Sequence, residues 1–275
     1  MVGGRDGAMW ATMCCEPTHG GQLSRIDSLG NQTFYTLGGY ASGSLTPNPD
    51  RNIYVAEQLQ DGYGIARVTP LGQVTDFALP GADSIQSMTT GSDNAIWMVR
   101  SDMVGNSVVA RMDTSGNYTE YKNTVGSPLA AITRGSDKNL WCGGDVRVSV
   151  VDGTMTFFAN NMDIVMTLGS DGLLWFVDTH AAFSVDAQGN AMTYPLKTGH
   201  RGSPQVSTSH LIWWLSGRQL GLHAFNTRTH RITMNIPFPI PGANGGPLAV
   251  GPDKQIWSAY ISGPGTGTMY RIPTP

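Results

Sequence analysis

The segment Gly91-Ser92-Asp93-Asn94-Ala95-Ile96-Trp97 carries the pattern that decides the fold. It places a Gly-Ser-Asp turn between two apolar runs, and the second run contains a Trp. Glycine and asparagine adopt the positive φ that hairpin turns need, and an Asp side chain can accept hydrogen bonds from the backbone amides of such a turn. The segment therefore predicts two antiparallel strands joined by a tight turn, with Trp97 in the second strand.

The same unit recurs along the whole chain, which is the sequence signature of a repeat architecture. Gly-x-Asp turns precede Trp10, Trp97, Trp141, Trp175 and Trp257, and two degenerate copies precede Tyr54 and Trp213. The steps between these seven aromatic anchors are 44, 43, 44, 34, 38 and 44 residues. This spacing is typical of the blades of a β-propeller.

Two further strands follow several anchors. After Trp97, for example, Val108 to Met112 and Gly116 to Tyr121 read as a third strand and, after a Gly turn, a fourth. Four short antiparallel strands in every 40 or so residues, without helical periodicity between them, describe a propeller blade. We predict an all-β fold, a single seven-bladed β-propeller of four-stranded antiparallel blades over residues 1–275, in which the repeated Asp and Trp residues are structural.

Composition excludes several classes of function. The chain has a formal net charge of −3 and no basic run, so we expect no nucleic-acid partner. It has no apolar stretch of membrane-spanning length and no signal peptide pattern, so we expect a soluble protein without membrane insertion. Its compartment stays open between the cytoplasm and an extracellular or virus particle. Three cysteines make no disulfide framework, and Cys14, Cys15 and His19 lack the spacing of a zinc site.

The repeat also resembles a known family. The segments Gly-Ser-Asp-Asn-Ala-Ile-Trp (91–97), Val-Ala-Arg-Met (109–112) and Gly-Asn-Tyr-Thr-Glu-Tyr (116–121) are similar to the blades of the streptogramin (virginiamycin B) lyase family. The resemblance covers nearly the whole chain and implies the propeller fold. It also implies a magnesium-assisted elimination on a cyclic depsipeptide, carried out by two His and two Glu residues in the last two blades.

This sequence departs from the family at all four of those positions. Gln205 stands where the first His is expected, Gly246 where the first Glu is expected, and Leu248 where the second His is expected; the run 258–261 after Trp257 contains no carboxylate. An elimination needs a base to remove the proton and a cation to stabilise the oxyanion. We therefore assign no catalytic residue, no metal ligand and no cofactor, with Mg²⁺ implied only if the lyase interpretation holds.

Residues three positions after the anchors, and those that open the first strands, are expected at one end of the central channel. We predict that this tunnel mouth binds a polar ligand through the following residues: Glu57, Gln86, Arg100, Asp178, Gln205 and Tyr260. The alternative is structural, in which Arg100 pairs with Glu57 or Asp178 at the rim and contributes little.

We therefore predict a non-catalytic binding or assembly module with a protein or glycan partner, for instance a surface or virion structural component. The alternative is a metal-dependent lyase-like enzyme. The sequence ends after the third strand of the seventh blade, and an unpaired strand edge invites pairing with another chain. We therefore expect an oligomer or a larger complex formed through this incomplete blade.

Overall fold

The computed structural model describes residues 1–13, 21–102, 105–129, 131–160, 166–177, 180–196, 206–216, 221–237, 246–263 and 266–272. Within these ranges, side chains are described except at positions 13, 83, 216, 235, 237, 260–263 and 266–268. All secondary structure in the described part is β-strand, and no membrane-spanning helix occurs there.

The strands form seven antiparallel sheets in chain order, one for each predicted anchor. Blade 1 comprises β1 (Val2–Gly3), β2 (Met9–Met13), β3 (Gln22–Ile26) and β4 (Gln32–Thr36). Blade 2 comprises β5 (Tyr40–Pro47), β6 (Ile53–Leu59), β7 (Gly62–Val68) and β8 (Val74–Leu79). Blade 3 comprises β9 (Ala82–Thr90), β10 (Ile96–Asp102), β11 (Ser107–Met112) and β12 (Tyr118–Lys122).

The later blades repeat this order. Blade 4 comprises β13 (Ile132–Arg134), β14 (Leu140–Cys142), β15 (Val146–Val148) and β16 (Met155–Phe157). Blade 5 comprises β17 (Thr167–Leu168), β18 (Leu174–Val177), β19 (Ala181–Val185) and β20 (Ala191–Pro195). Blade 6 comprises β21 (Val206–Thr208), β22 (Leu211–Ser216), β23 (Gly221–Asn226) and β24 (Arg231–Pro237), and blade 7 comprises β25 (Leu248–Val250), β26 (Ile256–Gly263) and β27 (Thr266–Ile272).

The predicted fold class is confirmed. Six sheets have four strands and the seventh has three in the described part of the chain. The ring also closes, because β1 lies directly against β25: a Cβ added to Gly3 would lie 2.6 Å from the backbone oxygen of Val250.

The turn between the first and second strands has the structural role that the sequence predicts. In blade 3, Asp93 Oδ1 accepts hydrogen bonds from the backbone N–H of Ala95 (3.3 Å) and from the indole Nε1 of Trp97 (3.1 Å). Its other oxygen pairs with Arg111 Nε at 2.8 Å. Equivalent indole-to-Asp bonds anchor Trp10, Trp175 and Trp257. The Asp is thus a fixed acceptor that holds the Trp strand to the turn.

The core lies between the blades. One cluster packs Tyr54 and Ile65 of blade 2 against Met98 of blade 3, and similar clusters fill five other junctions between successive blades. Six of the seven anchors are at most 1% exposed, namely Trp10, Tyr54, Trp97, Trp141, Trp175 and Trp213. Burial of apolar surface between neighbouring sheets therefore supplies most of the stability that orders the ring.

A second contact repeats between blades and has no counterpart in the sequence prediction. An aromatic residue of the outer strand stacks on its own anchor, as Tyr121 does on Trp97 with ring centroids 5.3 Å apart. The same ring covers a glycine of positive φ in the outer hairpin of the next blade. A Cβ on that glycine would overlap the ring, and the pairs are Tyr35 with Gly72, Tyr121 with Gly153, and Phe158 with Gly189. Phe77 of blade 2 covers Gly116 in the same way.

Candidate functional site

Two of the predicted binding residues occupy equivalent places near the ends of second strands. Glu57 lies three residues after Tyr54 in β6, and Arg100 lies three residues after Trp97 in β10. Each side chain meets the connector that brings the chain in from the preceding blade. Both residues are buried, with exposed fractions of 0% for Glu57 and 2% for Arg100. Their side chains thus belong to blade junctions rather than to an open rim.

Glu57 is held against the connector between blades 1 and 2. Its Oε2 accepts a hydrogen bond of 2.9 Å from the backbone N–H of Gly39, while its buried Oε1 accepts none from the described residues. Burial, reinforced by the negative charge of Asp76, raises the pKa of Glu57 to about 7. A carboxyl group in this setting retains its proton under mildly acidic conditions.

Arg100 forms the corresponding contact between blades 2 and 3. Its Nη1 donates to the backbone oxygens of Gly81 (2.8 Å) and Ser101 (3.1 Å), and its Nη2 pairs with Glu120. Tyr118 donates a hydrogen bond of 2.7 Å to the same carboxylate. The alternative in which Arg100 pairs with Glu57 at the rim is therefore wrong, and Asp178, the other partner considered, lies outside the described residues. Because side chains alternate along β10, Arg100 lies on the face of blade 3 that meets blade 2. Glu120, in the outer strand of blade 3, lies on the same face and is its partner.

The partners Asp76 and Glu120 were missed by reasoning from the sequence. They occupy the same place in β8 and β12, directly before the aromatic residue of a Thr-Asp-Phe and a Thr-Glu-Tyr sequence. That shared position was the available signal. Pairing Asp76 with Glu57, and Glu120 with Arg100, requires the register of the strand between the two partners. That strand is β7 in blade 2 and β11 in blade 3, and the sequence does not specify its register.

Gln86 is the predicted residue that is both described and exposed. It lies in β9, and its Nε2 donates a hydrogen bond of 3.0 Å to Ser101 Oγ. Together with Thr133, Gly143 and Met166 it lines a cavity of about 200 Å³ that reaches into blades 4 and 5. Polar side chains of blades 3 and 4 therefore meet at this cavity.

For the other three predicted residues the structure describes no side-chain contact. Asp178 and Gln205 lie outside the described residues, and Tyr260 lies in β26 without a described side chain. The ligand-binding role of the set stays a prediction. Among the described residues, no group of three or more His, Cys, Asp or Glu side chains is placed to hold a metal ion.

Two of the four positions that the lyase resemblance singles out are described with their surroundings. Leu248 is 6% exposed and packs with Val206, Ile256 and Ile272 in the core between blades 6 and 7. Gly246 lies so close to Ala259 that an added Cβ would overlap the backbone oxygen of that residue. A side chain at 246 does not fit without backbone movement. The side chains at these two positions offer no ligand atom for Mg²⁺ and no base.

The fold and these contacts define a seven-bladed β-propeller whose blades follow the Gly-x-Asp and Trp repeat. The model of the virginiamycin B lyase family matches residues 1–268, and the chain belongs to this family. None of the curated proteins compared with the chain matches it.

Solved structures agree on the architecture. A streptogramin B lyase structure superimposes with a TM-score of 0.75 at 20% identity, over 98% of this chain and 92% of that one. A catalytically inactive variant of virginiamycin B lyase from Staphylococcus aureus, solved with quinupristin, gives 0.70 at 20% identity, over 93% of both chains. A chain from a nidogen/laminin complex gives 0.57 at 11% identity, over 84% of this chain and 94% of that one. At these identities the likeness shows the fold alone.

Proposed function

We propose that the protein is a non-catalytic member of its family that acts as a binding or assembly module for a protein partner. The observation that carries the proposal is the state of the family's catalytic positions. Leu248 belongs to the core and Gly246 leaves no room for a side chain. An elimination requires a base and a bound cation at the reacting atoms, and neither residue supplies one.

The use of the remaining polar groups supports the same proposal. Asp93 and its repeats hold indole rings, Arg100 holds Glu120 and a connector, and Glu57 holds a second connector. Groups committed to the scaffold make a rigid framework rather than a reaction centre. The same architecture occurs in a chain taken from a nidogen/laminin complex, so it is compatible with a protein assembly.

The first experiment separates a binding module from a lyase. The protein is incubated with quinupristin and Mg²⁺, and ring opening is followed by mass spectrometry beside an active virginiamycin B lyase. We expect no product above the protein-free control. Ring opening that scales with protein concentration and stops with a chelator overturns the proposal.

The second experiment tests binding at the predicted tunnel mouth. Native mass spectrometry of the protein gently extracted from its source identifies the partner, and Gln86→Ala and Tyr260→Ala are expected to weaken that complex. Gln188→Ala is the matched control, because Gln188 is an exposed glutamine in an outer hairpin at the other end of the blades. A free monomer that also binds nothing on a glycan array contradicts a binding function, whereas glycan binding without a protein partner replaces the partner proposed here.

A further inference from the structure

A groove of about 830 Å³ lies between blades 6 and 7, at the end of the blades opposite to the candidate site. Its size falls within the range of about 300–1,000 Å³ that is usual for small-molecule sites. The groove is lined by the following residues: Ser207, Thr208, Ser209, His210, Leu211, Asn226, Thr233, Met234, Val250, Lys254 and Gln255. We call it the blade 6–7 groove.

The groove opens where the inner turns change their construction. In blades 2, 3 and 4 a side chain of the turn donates to a backbone oxygen of the next turn, as Ser92 does to Lys138 at 2.8 Å. In blade 6 the turn is shortened: Thr208 pairs with Leu211, so that Ser209 and His210 form a two-residue hairpin turn. The hydrogen bonds that link successive inner turns in blades 2, 3 and 4 thus give way to a tighter hairpin beside the groove.

The shortened turn of blade 6 also lacks the Asp carboxylate that accepts the indole proton in other blades. In blades 1, 3, 5 and 7 the anchoring indole donates to an Asp carboxylate. In blade 6 the Nε1 of Trp213 donates instead to the hydroxyl oxygen of Thr208, at 2.7 Å. Since that oxygen already accepts the indole proton, its own proton is available for donation. The Arg that stands opposite the anchor in blade 3 is also replaced, by Ala224 in blade 6.

The charges that line the groove have one sign. Lys254 is present, and none of the eleven lining residues is Asp or Glu. Lys254 forms no ion pair in the described part of the chain. The neighbouring Asp253 directs its carboxylate to Trp257 Nε1 and to Arg271, at 3.1 and 3.7 Å. An oxyanion in the groove therefore meets a cation and hydroxyl donors without a competing carboxylate.

From this geometry we propose that the blade 6–7 groove binds a phosphate monoester of a sugar or similar polyol. Lys254 and the Thr208 hydroxyl are assigned to the phosphate, and Asn226 and Thr233 to the hydroxyl groups of the polyol. Charge-assisted hydrogen bonds favour the ester over the neutral polyol. The site goes beyond the proposed function, since it lies at the other end of the blades from Gln86.

Isothermal titration calorimetry of the full chain with glucose 6-phosphate, glucose and inorganic phosphate tests the proposal. We expect saturable binding of the ester, with Lys254→Ala weakening it about tenfold, the loss of one charge-assisted hydrogen bond. Lys138→Ala is the matched control, because Lys138 follows Asp137 in the turn of blade 4 as Lys254 follows Asp253 in blade 7. The Lys138→Ala variant is expected to bind the ester as tightly as the wild type.

A second pair of variants keeps the test independent of folding. Thr208→Asp retains an acceptor for Trp213 but returns a carboxylate to the groove, so it is expected to abolish binding while the melting temperature is maintained. Thr208→Asn supplies a neutral acceptor of similar size and is expected to bind more tightly than Thr208→Asp. The proposal is overturned if the wild type binds no ester at about 10 mM, if glucose binds as tightly as its phosphate, or if Lys254→Ala and Lys138→Ala behave alike.

Discussion

At the residue scale, neighbouring blades carry opposite charges at the same buried position, three residues after the anchor. At the junction of blades 2 and 3, the buried Arg100 pairs with Glu120, which is 36% exposed at its side chain. At the junction of blades 1 and 2, the equivalent places hold two carboxyl groups, Glu57 and Asp76. Two like charges in low dielectric are unfavourable, so Glu57 is stable there in its protonated form. The junction of blades 1 and 2 is therefore sensitive to pH near neutrality.

We predict that the contribution of Glu57 to the free energy of unfolding decreases as pH rises from about 4.5 to 7. The pKa of Glu57 is raised from 4.5 to about 7 in the folded chain. Within that window the unfolded chain loses the proton that the native chain keeps, so the stabilisation is full below the window and lost as pH passes 7. Thermal unfolding at a series of pH values measures the effect.

The pH dependence is assigned by comparing variants. Glu57→Gln keeps the acceptor for Gly39 and is expected to flatten the curve between pH 4.5 and 7. The pKa values of Asp6, Asp27, Asp113 and Asp186 are lowered, so these groups act only at pH values below about 4 and do not interfere. The N-terminal amine acts in the opposite direction above about pH 6, because burial lowers its pKa from 8.0 to about 6. Since this amine and the histidines are common to both proteins, the difference between wild type and Glu57→Gln isolates Glu57. Identical curves for the two proteins contradict the assignment.

The sequence identifies positions at this scale better than it identifies contacts. Counting three residues from each anchor finds Glu57 and Arg100 as special, because the repeat fixes that count. It does not reveal that both are buried, because burial depends on which face of the strand meets the connector of the preceding blade. Gln86 lies among polar groups at the inner strands for the simpler reason that it belongs to a first strand.

At the scale of the strand and turn, the Asp of each inner turn is expected to stabilise its blade. Asp93→Ala removes the acceptor of the Trp97 indole and of the Ala95 amide, and leaves Arg111 without its partner. Loss of hydrogen bonds to a charged acceptor costs about 2–3 kcal/mol. Urea unfolding measures this, and Asp61→Ala, an exposed turn residue of blade 2, is expected to change stability by less than about 0.5 kcal/mol. Equal effects of the two substitutions contradict a structural role for Asp93.

The outer hairpins depend on glycine for two separable reasons. Gly30 and Gly153 both have positive φ, of 86° and 74°, but only Gly153 lies beneath an aromatic ring, that of Tyr121. Gly30→Ala is therefore expected to cost only the backbone strain of about 1–2 kcal/mol. Gly153→Ala is expected to cost a further ~1–3 kcal/mol by overpacking, since Tyr121 is stacked on Trp97 and cannot move away freely. Chemical denaturation of both variants tests whether the ring contact between blades contributes beyond the turn itself.

For the whole molecule, the repeat predicts the architecture because every anchor gives one blade. The degenerate turns before Tyr54 and Trp213 still form blades 2 and 6, since Asp50 accepts from the Tyr54 hydroxyl and Thr208 accepts from the Trp213 indole. What the repeat does not give is closure. The approach of Gly3 to Val250 joins residues almost 250 positions apart, and no local pattern encodes it.

The proposed loss of lyase chemistry also concerns the whole ring, because the reaction centre implied by the resemblance draws on two blades. We predict that Leu248→His does not restore it. The imidazole enters the apolar core between blades 6 and 7, and burying an unpaired polar group while removing Leu packing lowers stability by about 3 kcal/mol. Leu248→Met, which conserves volume, is expected to cost less than about 1.5 kcal/mol. Unfolding curves give both values, and quinupristin with Mg²⁺ gives the activity. No ring opening is expected, because the backbone of Ala259 already fills the space that a catalytic side chain at position 246 requires. Ring opening by a stable Leu248→His protein contradicts the proposed loss of the reaction centre.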